Sequence, residues 1–195
     1  MAEPICVLMI DDLREKGEKK LMVTERFGLL RVGGSEVTVL GEDIEVGQKA
    51  PEFSAQTLDW EIIQVLEFTK GKVRILAALP SLETSVCDRE TRKFNEEAAN
   101  LDDDIVIVPI STDLPYTQSN WCAAAGIDQV MMVSDHLETS FGLQYGCLIK
   151  ERRILRRAVF VLDRENIVRY VDYLPTLGDE PDYEAVLAAA EQLVV

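Results

Sequence analysis

With 195 residues and 47% hydrophobic content, the chain has material for one domain with a proper core, and its near-zero mean hydropathy excludes a disordered polymer. A formal net charge of −15 opposes general electrostatic attraction to nucleic acid or an anionic membrane, which leaves a neutral small substrate or a protein partner. No apolar run approaches a bilayer span, and no basic segment with a long apolar stretch opens the chain, so a soluble, cytoplasmic protein is expected.

Residues 1–32 look unlike the rest of the chain, a short apolar patch around Cys6 leading into a charged run that has no core to join. They read as an N-terminal extension, with Met22 a candidate start, and residues 33–195 as the folded domain. Glu36 to Leu40 alternates with a period of two, Gly41-Glu42-Asp43 supplies a turn, and Ile44-Glu45-Val46 resumes the alternation, which predicts an N-terminal β-hairpin. Residues 53–58 and 62–66 read as two short strands about a turn at Asp59.

The run 73–79 is continuously apolar apart from Arg74 and reads as a buried strand. A helix comes next over 88–100, and a second apolar strand runs over 105–110 behind Asp102-Asp103-Asp104. Strand, helix, strand in this order predicts a right-handed parallel crossover in a sheet covered on both faces. Leu114-Pro115 opens a helix through Ala125, with proline in the tolerated first turn. A short strand at 130–133, a helical turn at 139–145, an antiparallel hairpin from 158–162 and 167–171, and a closing helix at 182–193 complete an α/β chain: a mixed central sheet with helices on both faces.

Cys87 falls at or near a helix start, just beyond the C-terminal end of a parallel strand, where sites of α/β sheets belong. Unpaired backbone N–H groups and the positive end of the helix dipole favour an anion there, so Cys87 reads as a nucleophilic thiolate awaiting an electrophile. Thr84, one turn earlier, can direct its hydroxyl to the same place, or can be merely a helix cap. Four cysteines without a CxxC pair, and the single His136, fit neither a disulfide framework nor a zinc site, so no metal and no cofactor is expected.

The pattern Pro80, Thr84, Cys87 is PxxxTxxC, and it resembles the active-site signature of the peroxiredoxins. The ordered blocks PSLETSVCDRETRKFNEEAA, ISTDLPYTQSNWC, SDHLETSFGLQYG, RAVFVLD and EPDYEA resemble one branch, the thiol peroxidases or atypical two-cysteine peroxiredoxins, from about residue 34 to the C-terminus. Ser85 stands where proline or glycine is common in that branch, and Trp121 where phenylalanine is common. The resemblance implies a thioredoxin-like fold and reduction of hydrogen peroxide and alkyl hydroperoxides by Cys87. It also implies Arg157 as the cation beside the thiolate, Cys122 as the resolving thiol, thioredoxin as reductant and a homodimer. Pro80 and Val86 are expected in the substrate pocket.

Chemistry agrees with these assignments. A peroxide O–O bond needs an ionised sulfur, hydrogen-bond donors and a fixed positive charge. Since neighbours on a strand point to opposite faces, only one of Arg156 and Arg157 enters the site. The sulfenic acid left on Cys87 needs a second thiol to escape further oxidation. Read without the resemblance, Cys122 is equally a small buried residue beside Trp121. Cys147 reads as packing, Cys6 as incidental and His136 as a turn or interface residue. A peroxide sensor that relays its disulfide to a protein is the alternative function, and a dithiol oxidoreductase is disfavoured by the missing CxxC.

Overall fold

The structure, a computed structural model, describes residues 23–194; Cys6 and Met22 lie outside the described residues. Part of the segment read as an extension belongs to the fold. Strands β1 (Glu25–Val32) and β2 (Ser35–Leu40) form an antiparallel hairpin in which Glu25 faces Leu40 and Val32 faces Ser35. The division drawn after residue 32 therefore cuts this hairpin at its turn. Gly33 and Gly34 both have positive φ, 61° and 84°, the conformation a two-residue hairpin turn needs.

The hairpin predicted about Gly41-Glu42-Asp43 is thus displaced by one strand. Gly41 instead redirects the chain: a Cβ there would lie 2.0 Å from the carbonyl oxygen of Leu143, so only glycine permits that approach. Ile44-Glu45-Val46 forms no strand; the Ile44 N–H goes to the Tyr173 hydroxyl at 2.8 Å.

Two short antiparallel strands, β3 (Ser54–Gln56) and β4 (Ile62–Gln64), lead into helix α1 (Val65–Phe68). The predicted second strand ends early because the Glu52 carboxylate accepts the N–H groups of Leu66 and Glu67, both at 2.8 Å, and nucleates that turn. Then come β5 (Val73–Ala78), α2 (Ser85–Ala98), β6 (Ile105–Ser111), α3 (Pro115–Ala125), β7 (Val133–Ser134) and α4 (Ser140–Gln144). Two-residue strands β8 (Leu148–Ile149) and β9 (Ile154–Leu155) precede β10 (Ala158–Leu162), β11 (Val168–Tyr173) and the closing helix α5 (Tyr183–Glu191).

A seven-stranded sheet runs β11-β10-β5-β6-β7-β3-β4, with β5, β6 and β7 parallel and the outer pairs antiparallel, the mixed sheet expected. The hairpin joins β8 and β9 in a second sheet of four strands, an addition that two-residue strands could not announce in the sequence. Alternation along β5 assigns Ile75 and Ala77 to one core with Phe94, Val159 and Val186, and Leu76 and Ala78 to the other with Phe53, Phe141 and Phe160. Thus α2 and α5 cover one face and α1 and α4 the other. A third apolar cluster, Leu79, Leu82, Cys87, Cys122 and Met132, sits where β5 gives way to α2.

Candidate active site

The turn between β5 and α2 is built to present a side chain. Leu79 extends the parallel pairing by donating its N–H to Ile110 O at 2.8 Å, and Pro80 is buried behind it. Asp113, just past the C-terminal end of β6, then clamps the turn. Its carboxylate accepts from the Ser81 hydroxyl and the Leu82 N–H, both at 2.8 Å, and from the Ser111 hydroxyl at 2.9 Å. α2 starts at Ser85 with Thr84 in the extended N-cap conformation, which places Cys87 in the first turn, fully buried.

Two donors converge on the sulfur. Thr84 Oγ1 lies 2.9 Å from Cys87 Sγ and 3.0 Å from Ser81 O, and it makes no hydrogen bond as a helix cap. One hydroxyl proton serves one acceptor at a time, so toward a thiolate Thr84 donates to sulfur. Arg157 Nη2 donates to Sγ at 3.1 Å and also reaches Leu177 O at 3.0 Å. Arg156 turns the other way, pairing with Asp43 and lying 3.8 Å from the Tyr173 ring centroid. The structure thus brings Thr84, Cys87 and Arg157 together and keeps Arg156 out.

Arg157 has a second partner that sequence reasoning misses. Its Nη1 donates to Glu90 Oε2, and neither side chain reaches solvent. Burial pushes the Glu90 carboxyl up to about 7, with Arg157 pulling it back, while burial of Arg157 is outweighed by Glu90 and Cys87, so its guanidinium is held more firmly charged. A signal exists: Cys87, Glu90, Thr91 and Phe94 form the buried stripe of α2 at helical spacing, so a carboxylate on that stripe needs a cation. Asp113 is the other omission, and its place after a parallel strand is the available cue.

Cys122, on α3, is almost completely buried and shares the apolar cluster of Cys87, with half-buried Trp121 against it. Both thiols are free, and burial pushes that of Cys122 up. Cys147 lies in the large core with its thiol pushed up to about 12 by burial. His136 Nδ1 is 3.0 Å from Ser134 Oγ, and its ring meets Trp60 edge-on.

An open cleft above the first turn of α2 is lined by Leu82, Thr84, Ser85, Asp88, Arg89 and Trp121. Cys87 and Arg157 themselves, like Pro80 and Val86, the residues expected in the pocket, are not among its lining residues. Pro80 backs the turn, and Val86 is turned about 100° from Cys87 around the helix axis and is half-buried. Among the described residues, no three His, Cys, Asp or Glu side chains converge as metal ligands would, and no helix is long and apolar enough to cross a membrane.

This geometry has relatives. Residues 45–187 match the redoxin family. A thiol peroxidase from Halalkalibacterium halodurans is 46% identical over 158 residues, covering 81% of this chain and 94% of that protein. The thiol peroxidase of Bacillus subtilis is 45% identical over 161 residues, 83% of this chain and 95% of its own. The crystal structure of a peroxiredoxin-like protein from Aquifex aeolicus superposes with a TM-score of 0.76 at 33% identity, covering 88% of this chain and 98% of that one. Likeness of this extent, over nearly the whole of each relative, means that the chain belongs to the thiol peroxidase family of peroxiredoxin-type enzymes, on a thioredoxin-like fold.

Proposed function

We propose that the protein reduces hydrogen peroxide and alkyl hydroperoxides with Cys87 as peroxidatic thiolate and Cys122 as resolving thiol, and that thioredoxin recycles it in the cytoplasm. The observation that carries this reading is the convergence of Thr84 Oγ1 and Arg157 Nη2 on a buried Cys87 sulfur, at 2.9 and 3.1 Å. A thiolate held by two donors at a helix start attacks one peroxide oxygen, so an S–O bond forms as the O–O bond breaks. The departing oxygen carries the negative charge, which Arg157 and the Thr84 hydroxyl stabilise until it takes a proton. Cys87 is left as a sulfenic acid.

Cys122 then attacks the sulfenyl sulfur: an S–S bond forms, the S–O bond breaks, and hydroxide leaves as water with the thiol proton. Their shared apolar cluster supports this pairing over one with Cys147, which sits in a different core. An external dithiol reopens the disulfide and is itself oxidised. Homodimer formation is supported by exposed Trp60, Ile62, Leu114, Tyr116 and Leu137, of which Leu114 and Tyr116 flank the start of α3 just after Asp113. Rings of Trp60 and Tyr116 pack at 4.7 Å, a rigid apolar surface suited to a second copy.

The test is a thioredoxin-coupled peroxidase assay of the wild type beside Cys87→Ser and Cys122→Ser. Loss of all peroxide consumption in the first, and a single turnover without cycling in the second, is expected. Full cycling in Cys122→Ser refutes the resolving assignment.

A further inference from the structure

Any role for α3 in disulfide formation rests on the resolving role just proposed for Cys122, and the way this helix is attached bears directly on that step. Along its eleven residues only Pro115, Gln118 and Cys122 are buried. Gln118 ties the first half to the sheet, donating Nε2 to Ser111 Oγ at 3.1 Å and to Val133 O at 3.0 Å. In the second half Cys122 and half-buried Trp121 pack into the Cys87 cluster while Ala123 and Ala124 are exposed, so this half is seated by two side chains and is the part suited to local opening.

Arg92 on α2 holds that second half, and Asn95 of the same helix accepts the N–H groups of Asp128 and Gln129 just beyond it, at 3.1 and 2.8 Å. Arg92 donates Nε to Asp88 Oδ2 at 3.0 Å and Nη1 to Ala125 O at 3.1 Å, and its guanidinium carbon lies 5.6 Å from the Trp121 ring centroid. Ala125 closes α3, so its carbonyl is one of those a helix leaves without an internal partner. Asp88 directly follows Cys87 in the first turn of α2. A single guanidinium therefore joins the turn that carries Cys87 to the turn that carries Cys122.

We propose that Arg92 is a positioning residue that latches the Trp121-Cys122 turn in its helical seat and so sets how fast the Cys87 sulfenic acid is captured. The Cys87 sulfur is engaged by Thr84 and Arg157, and Cys122 is free and shielded, so one of the two turns opens before the sulfurs meet. A disulfide tolerates Cα separations only to about 7 Å with the Cβ atoms facing, and opening of the turn is the movement assigned to reach it. Opening at α3 breaks the Arg92 contacts to Ala125 and Trp121. While the turn stays latched, a second peroxide competes for the sulfenic acid, adding an oxygen to sulfur to give the sulfinic acid as its own O–O bond breaks. Arg92 thereby lowers both the speed of capture and the tolerance of excess peroxide.

The experiment uses the full chain, reduced and mixed rapidly with hydrogen peroxide, with sulfenic acid, Cys87–Cys122 disulfide and sulfinic acid followed by quenched-flow mass spectrometry. Arg92→Met keeps the aliphatic reach but loses charge and donors; Arg92→Lys keeps a charge near Trp121 without the fork. Disulfide formation is expected to be about tenfold faster in Arg92→Met and intermediate in Arg92→Lys. The peroxide concentration that gives half sulfinic acid rises in the same order. Amide exchange speeds up at residues 121–125 and not in β5 or β6, which separates release of the latch from general loosening. Equal or slower disulfide formation in Arg92→Met, with the Cys87–Cys122 bond still formed, overturns the latch alone. Failure of Cys122 to capture the wild-type sulfenic acid, with or without capture by another thiol, overturns the latch together with the resolving role.

Discussion

Glu90 and Arg157, 67 residues apart in the chain, form an ion pair in which neither side chain is exposed, and the same guanidinium reaches the Cys87 sulfur. The pair makes Arg157 a fixed charge rather than a roaming one: Glu90 holds one nitrogen, Leu177 O another, and the remaining direction is toward Cys87. A buried charge without its partner is costly, so each member constrains the other.

Stability is expected to fall as pH rises through the Glu90 window. Burial raises the folded-state carboxyl from 4.5 to about 7, so between these values the folded chain keeps a proton that the unfolded chain has released. Stability is fully present below about pH 4.5 and is lost toward pH 7 by roughly 1–3 kcal/mol. Asp135, raised to about 7 by burial, contributes in the same direction. Urea unfolding of wild type and Glu90→Gln at pH 5 and pH 8 isolates the Glu90 share; an identical pH dependence in both proteins rejects it.

Arg157→Lys is expected to slow the reaction of Cys87 with peroxide about 100- to 1,000-fold, the range for losing one positioned donor. A compact ammonium cannot satisfy Glu90, Leu177 O and the sulfur at once. Single-turnover kinetics with hydrogen peroxide measures the loss, and near-wild-type rates count against the assignment.

Thr84→Val removes a hydroxyl from the sulfur while keeping shape. Since Thr84 makes no capping hydrogen bond, thermal stability changes by no more than about 0.5 kcal/mol, whereas peroxide reactivity falls about 10- to 100-fold and returns in Thr84→Ser. A stability loss of about 1 kcal/mol with unchanged kinetics is the signature of a mere cap.

For Cys147 the expectation is reversed. Cys147→Ala costs about 1–2 kcal/mol through lost core packing and leaves peroxide reduction unchanged, because the thiol lies wholly within the large core and is pushed up to about 12. Calorimetry beside the coupled assay decides, and a loss of turnover without a loss of stability contradicts packing as its role.

Tyr116→Asp places a charge in the exposed aromatic patch with Trp60. If two copies meet there, sedimentation equilibrium shows association weakened by about 2 kcal/mol, about thirtyfold in Kd. An unchanged association constant removes that surface from consideration.

Most of the strand-turn-helix around Cys87 is legible in the sequence because its cues are local. The apolar run into Leu79, the break at Pro80 and the helix after Thr84 succeed one another along the chain, and the structure keeps them in that relation. The hairpin is displaced from its predicted place because alternation at 44–46 competes with a Gly-Gly turn at 33–34, and periodicity does not say which strand finds a partner. Strands β8 and β9 escape prediction since two residues carry no period at all.

By itself the sequence singled out Cys87 as the candidate nucleophile, with its helix-start position and the hydroxyl one turn away, since spacing within one turn is a property of the chain. Only the tertiary structure decided which arginine reaches the sulfur and that Glu90 meets it. Those contacts depend on β10 lying beside β5 with Ala158 opposite Ala78, which sets Arg157 next to the end of the strand that leads to Cys87. Sheet order and register arise from the burial of whole faces against one another, and no single stretch of residues encodes them.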